Sequence, residues 1–332
     1  MKKITLLLFL LITGFTLIAC QDSTEHPDIV TTMYAHYDIA TQIVEDKMTV
    51  DMLVPLGADI HSFEPSSKDM IDIYESKIFI YTSEDIDQWL KNDEQIENLD
   101  GIVLDMSKSY TSSEHDHAIY PSNDETTLKT VPLVEDDHDD HDHEDDLHYW
   151  VDPTTFIQMI DYVLEHIIIV DPENEAFYTQ NARDYQSKIL VLHEDIDAFF
   201  SQDLYKESHI YFAGHNALGA FASRYHIHIE SLFSEFKPDD DLTSTEILDF
   251  SQLVKNAGTH YLFTEALIEP RAAIAIKENL ASEDDYTLNI LELHTYHNVN
   301  QEDWEAKVTY KDLLLRNFNY IKEALGATNS ND

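Results

Sequence analysis

The chain has 332 residues, with 65 Asp and Glu against 20 Lys and Arg, a formal net charge of −45 at pH 7. Repulsion from a phosphate backbone excludes nucleic acid as a partner, whereas such a field draws cations to the surface. The apolar fraction of 43% is that of a globular protein, and a single cysteine, Cys20, excludes both a disulfide framework and a cysteine-built zinc site.

Residues 1–19 have the form of a secretion signal: Met1-Lys2-Lys3 is basic, and 4–18 is apolar apart from Thr13, Gly14 and Thr16. The apolar run is shorter than the roughly 20 residues a permanent membrane helix needs. It ends in Leu17-Ile18-Ala19-Cys20, which resembles a bacterial lipobox. Cys20 is therefore expected to carry a diacylglycerol anchor at the start of the mature chain, and two acyl chains hold a protein stably on a membrane. Residues 20–28 then form a polar, lipidated tether.

From residue 29 the pattern alternates between strand and helix, which predicts a mostly parallel α/β sheet. Ile29 to Tyr34 reads as a buried β-branched strand, 35–46 as a helix and Thr49 to Val54 as a second strand. Ser66 to Glu75 suits a helix, and 78–81 and 102–105 suit strands. A helix is expected from Thr154 to about Val170, completing an N-terminal lobe over 29–170. Asp171 as N-cap and Pro172 at the first helical position then open a long helix within 171–203. Its apolar positions, from Phe177 to Phe200, keep helical spacing for about 28 residues, or roughly 42 Å. A helix of that length can brace two lobes. The alternation resumes over 204–332 as a second α/β lobe, closed by a helix from Val308 to Leu325. Two such lobes place a ligand site in the cleft between them.

Between 115 and 148 lie six histidines, nearly all flanked by Asp or Glu: His115, His117, His138, His141, His143 and His148. Imidazole and carboxylate are ligands for Zn²⁺ and its first-row neighbours. Residues 115–146 hold too little apolar surface to bury themselves, so they read as a loop that collects metal. Three other features are single histidines in strand-to-helix turns, where α/β folds put their sites. They are His61 in G-A-D-I-H-S-F-E-P, His148 in L-H-Y-W-V-D-P and His215 in Y-F-A-G-H-N-A-L-G. A histidine in a turn, taken singly, is more often structural than a ligand, and spacing alone does not join these three.

Five segments bring a family into view: V-P-L-G-A-D-I-H-S-F-E-P at 54–65, H-Y-W-V-D-P at 148–153, D-P-E-N-E-A-F-Y at 171–178, G-H-N-A-L-G-A-F at 214–221 and V-T-Y-K-D-L-L-L-R-N at 308–317. In order, and across essentially the whole mature chain, the sequence resembles the metal-binding lipoproteins of bacterial zinc and manganese ABC importers, the ZnuA/AdcA/TroA-like family. The resemblance implies two Rossmann-like lobes bridged by a single long helix, with the metal in the interlobe cleft. Carried over residue by residue, it places His61, His148 and His215 on the family's three histidine positions. Manganese-selective members have Glu where this chain has His215, so the resemblance implies zinc. For the family's late-loop carboxylate the choice here is Glu292 in L-N-I-L-E-L-H, with Glu265 in F-T-E-A, or water, as competitors. His294 and His297 are unexpected neighbours of that loop.

The function implied is capture rather than chemistry: a monomeric, lipid-anchored protein on the extracytoplasmic face of the cell membrane that binds Zn²⁺ and delivers it to an ABC metal permease. A manganese or iron importer protein of the same family, a surface adhesin and a metal buffer are the alternatives. A hydrolytic zinc enzyme commonly pairs two ligands on one helix. No H-E-x-x-H occurs, and the H-E-D-I-D at 193–197 ends in Asp.

Overall fold

The computed structural model describes residues 26–92, 96, 99–109, 118–121, 128–131, 145–233, 243–284 and 286–326. Cys20, His115, His117, His138, His141 and His143 lie outside the described residues.

Two four-stranded parallel sheets carry the chain. The first is built from β1 (Ile29–Thr31), β2 (Val50–Met52), β3 (Ile78–Tyr81) and β4 (Ile102–Asp105), in the order β2-β1-β3-β4. A short antiparallel ribbon, β5 (Ala118–Pro121) with β6 (Leu128–Val131), follows within the segment expected to be loop throughout. The second sheet uses β7 (His209–His215), β8 (His228–Phe233), β9 (Tyr261–Glu265) and β10 (Asn289–Leu293), in the order β10-β9-β7-β8. Both sheets have the same winding: the first strand in the chain lies between the second and the third. Each therefore has one switch point, beside β1 and β3 in the first and beside β7 and β9 in the second, where α/β folds bind ligands.

The helices are α1 (Tyr34–Val44), α2 (Ser67–Glu75), α3 (Pro153–Val170), α4 (Glu175–Phe200), α5 (Gly219–Tyr225), α6 (Ser244–Ala257), α7 (Arg271–Asp284), α8 (Gln301–Glu305) and α9 (Tyr310–Ala324). The bridging helix α4 starts later than the sequence predicts. Pro172–Asn174 form a separate 3-10 turn, and the residue before α4 is Asn174, without a side-chain cap. Asp171 precedes that turn but gives it no side-chain cap; its Oδ2 accepts from Asn174 Nδ2 at 2.7 Å and from Tyr178 Oη at 2.6 Å. The helical spacing survives this correction, because Tyr178, Ala182, Tyr185, Ile189, Leu192, Ile196 and Phe200 are all buried.

A continuous apolar core runs through both lobes. It joins Ile39 and Ile43 on α1, Phe156 and Ile160 on α3, Tyr185 and Ile189 on α4, Phe212 on β7, Phe221 on α5 and Leu313 on α9. Phe156 stacks on Tyr310 with 3.6 Å between ring centroids. Asp38 on α1 accepts from the Tyr185 hydroxyl and from Tyr310 N. A shared core of this kind resists hinge opening, because separating the lobes would expose it to water.

Candidate metal centre

Each histidine of the cluster is delivered by a different segment: His61 by a 3-10 turn after a strand, His148 by a 3-10 segment before a helix and His215 by the end of a strand. His61 follows β2. Pro55 to Ala58 make a turn closed by Ala58 N donating to Pro55 O at 2.9 Å, and Gly57 takes φ +73° in it, a conformation that glycine adopts without steric cost. Asp59 then accepts from His61 N at 3.0 Å and fixes the 3-10 turn Ile60–Ser62.

His148 follows β4 and β6, inside the 3-10 segment Asp145–Val151, which it kinks with φ −102° and ψ 39°. The residues after it anchor the turn. Trp150, fully buried, donates its indole N–H to Thr295 O at 2.8 Å. Asp152 caps α3 by accepting from Thr154 N at 2.8 Å, and Pro153 fills the first helical position. Asp152 Oδ2 also takes Arg224 Nε at 2.9 Å and Nη2 at 2.7 Å, from α5 in the second lobe.

His215 ends β7, beyond a register shift between Phe212 and His215. Such a bulge re-aims the next side chain. Gly214 makes it possible, since a Cβ there would lie 2.8 Å from Phe212 Cε1.

The three histidines converge. Their ligand nitrogens all lie within 4.8 Å of one another. Ring centroids are 5.7 Å apart for His61–His148, 5.7 Å for His61–His215 and 5.3 Å for His148–His215. His148 and His215 are buried and His61 is half-buried. Burial pushes His61 below the ordinary imidazole value and His215 down to about 4, the latter helped by the nearby His61. His148 falls well below, first by burial and then through His215, His61 and His297. All three are therefore neutral near pH 7, the form that offers a lone pair to a metal. His148 Nε2 is buried without a hydrogen-bond partner, an arrangement that costs free energy unless an ion takes the lone pair. The donor set, three neutral imidazoles, fits Zn²⁺.

Glu292, the carboxylate chosen from sequence, does not join them. It is exposed on β10 and lies outside the cluster. Side chains alternate along a strand, and it is the next residue, Leu293, that turns into the core. The buried acid is Glu265 at the end of β9, across the switch point from β7, with Oε2 3.5 Å from His215 Nδ1. It thus sits behind the ring and leaves Nε2 to the cluster. Beside it runs the segment 294–299, every residue of which is buried. Thr295 Oγ1 donates to Glu265 Oε1 at 2.9 Å and lies 2.6 Å from His297 Nδ1. Asn298 Nδ2 donates to Pro55 O at 2.8 Å and Ala58 O at 2.7 Å, and Gly57 N donates to Val299 O at 3.0 Å. The strap after β10 thereby holds the turn that carries His61. Sequence reasoning passed over Asn298 altogether; the dense polar run H-T-Y-H-N after a strand was its only visible signal.

The family description zinc-uptake complex component A, periplasmic (ZnuA), matches residues 29–324. Among curated relatives, the high-affinity zinc uptake system protein ZnuA of Bacillus subtilis (strain 168) is 24% identical over 308 residues, covering 90% of this chain and 87% of that protein. The zinc-binding lipoprotein AdcA of Streptococcus pneumoniae serotype 4 is 26% identical over 331 residues and 97% of this chain, which spans only 61% of AdcA. In structure the chain is similar to the metal-dependent lipoprotein YcdH from Bacillus subtilis, with a TM-score of 0.68 at 20% identity over 89% of this chain and 98% of that one. It is also similar to Zn(II)-bound AdcA from Streptococcus pneumoniae, with a TM-score of 0.67 at 20% identity over 90% of this chain and 57% of that one. Periplasmic zinc-binding protein TroA from Treponema pallidum gives 0.66 at 16% identity, over 90% and 99%. These likenesses show the fold, two parallel-sheet lobes joined by a helix, and the match over 29–324 shows that the chain belongs to the ZnuA family, component A of zinc-uptake complexes.

Proposed function

We propose that the protein captures Zn²⁺ outside the cytoplasm and hands it to an ABC-type permease in the membrane, driven by a separate ATPase. The observation that carries this is the convergence of His61, His148 and His215, from three segments and two lobes, to within 4.8 Å. Imidazole donors favour zinc over manganese, which prefers carboxylate and water oxygens. The relatives' names, zinc uptake system protein and zinc-binding lipoprotein, point the same way. Cys20 supplies the lipid anchor, and the protein acts as a monomer held near the permease. In this reading the site carries an ion, held by side chains from separate segments of the two lobes. The acidic histidines His115, His117, His138, His141 and His143 serve as weaker, secondary collectors of the ion.

A competition titration of the metal-stripped protein with Zn²⁺ and Mn²⁺ tests the reading. Zinc should bind far more tightly, and a preference for manganese would overturn it. His61→Ala, His148→Ala and His215→Ala should each abolish tight binding, whereas His138→Ala should not.

A further inference from the structure

His297 lies beside the three-histidine cluster, with a side chain 7% exposed against Glu265 at 6%. Its Nδ1 is 2.6 Å from Thr295 Oγ1 and 3.7 Å from Glu265 Oε1. The direction of the hydrogen bonds here is decided by counting protons. A threonine hydroxyl has one proton, and an ionised carboxylate has none. Thr295 spends its proton on Glu265 Oε1. With Glu265 ionised, the contact between Thr295 and His297 is an N–H donated from Nδ1 to the hydroxyl oxygen. A neutral His297 is thereby held as the Nδ1–H tautomer, and its lone pair is on Nε2. Glu265 meets His215 in the same sense, at Nδ1. Two imidazoles thus stand against one carboxylate by their Nδ1 edges, which presents both Nε2 atoms away from it.

We propose that His297 completes the zinc shell as a fourth imidazole, with Thr295 and Glu265 behind it as the groups that fix its tautomer. This rests on the zinc reading above and sharpens it. A carboxylate behind a ligating histidine orients the ring and raises its basicity; here Glu265 stands behind His215 directly and behind His297 through the Thr295 hydroxyl. His297 and His215 face the two oxygens of the same Glu265 carboxylate, His297 toward Oε1 and His215 toward Oε2. His297 is outside the group whose nitrogens lie within 4.8 Å, but its segment is tied to both partners of the cluster, to Glu265 behind His215 and to the turn before His61. Tyr296, fully buried, takes φ +62°, and Asn298 grips the His61 turn through Pro55 and Ala58. Four imidazoles also explain why an exposed Glu292 is no loss to the site.

X-ray absorption at the zinc edge on the zinc-loaded full chain counts imidazoles directly. The wild type should show four; His297→Ala should show three with one oxygen, and bind zinc about tenfold to hundredfold more weakly. Thr295→Val, which keeps the shape and removes the proton relay, should weaken zinc binding about tenfold while retaining four imidazoles in the loaded state. Three imidazoles and an oxygen in the wild type would overturn the proposal, and this result needs no variant to fold. Tight zinc binding with three imidazoles would sink this inference alone, whereas failure of the wild type to bind zinc would sink the proposed function with it.

Discussion

Arg224 and Asp152 form an ion pair across the two lobes, with Nη2 2.7 Å from Oδ2 and side chains only 15% and 8% exposed. Asp152 caps the helix that begins five residues after His148, so the pair fixes the turn of His148 against the lobe that carries His215. Arg224→Ala would leave a buried carboxylate without its cation, which costs about 3 kcal/mol. Urea unfolding of the metal-free protein should show that loss, and zinc affinity should fall with it. A change within experimental error would mean that water replaces the guanidinium without cost.

Asn298→Ala removes the donor to Pro55 O and Ala58 O. Leaving buried carbonyls unpaired costs about 1–3 kcal/mol. Because those carbonyls belong to the His61 turn, the zinc dissociation constant should rise more than the loss of stability alone implies. Calorimetric titration beside thermal unfolding separates the two effects; equal losses would reduce Asn298 to a stability role.

Gly214→Ala places a methyl 2.8 Å from the ring of Phe212, which is itself 1% exposed and cannot yield. Overpacking of this kind costs about 1–3 kcal/mol. The strain falls on the bulge that aims His215, so the variant should fold, melt earlier and bind zinc more weakly. Retention of wild-type affinity would show that the bulge tolerates a side chain.

Acid should destabilise the metal-free protein. Burial lowers the proton affinity of His36 and His294 to about 3, of His297 to about 3 and of His215 to about 4, and it also lowers His61, His148 and His193. Between the ordinary value of 6.5 and these lowered ones, the unfolded chain binds protons that the native state refuses, so stability falls as pH falls. Asp38, raised to about 7, and Asp87, raised to about 6, act in the opposite direction, because burial makes the native state hold their protons. The histidines outnumber them. Urea midpoints should therefore drop from about pH 7.5 to about pH 5, and a rise would show that the aspartates dominate.

Removal of residues 115–146 should leave one tight zinc site, since His61, His148 and His215 lie outside that segment. The number of weakly held ions per chain should fall, as read by equilibrium dialysis. Loss of the tight site would make the acidic histidine segment primary.

The alternation of strand and helix, the long spacing from Tyr178 to Phe200 and the turns around His61, His148 and His215 were all legible in the chain, because periodicity and turn chemistry are local. The start of the bridging helix was not. Asp171 and Pro172 carry the signature of a helix N-terminus, but the side chain of Asp171 is taken by Asn174 and Tyr178. Glu292 was chosen over Glu265 for a similar reason: sequence names a carboxylate at a strand end but not the face it turns to.

By itself the sequence determined the class of fold, through its hydrophobic period, and it singled out His61, His148 and His215 only through its family resemblance. Only the tertiary structure decided which of those groups meet. The register of β9 beside β7 buries Glu265 behind His215, and the strap after β10 carries Thr295, His297 and Asn298 back across the cleft to the first lobe. Such meetings depend on packing between segments 30 to 243 residues apart, and no local pattern records them.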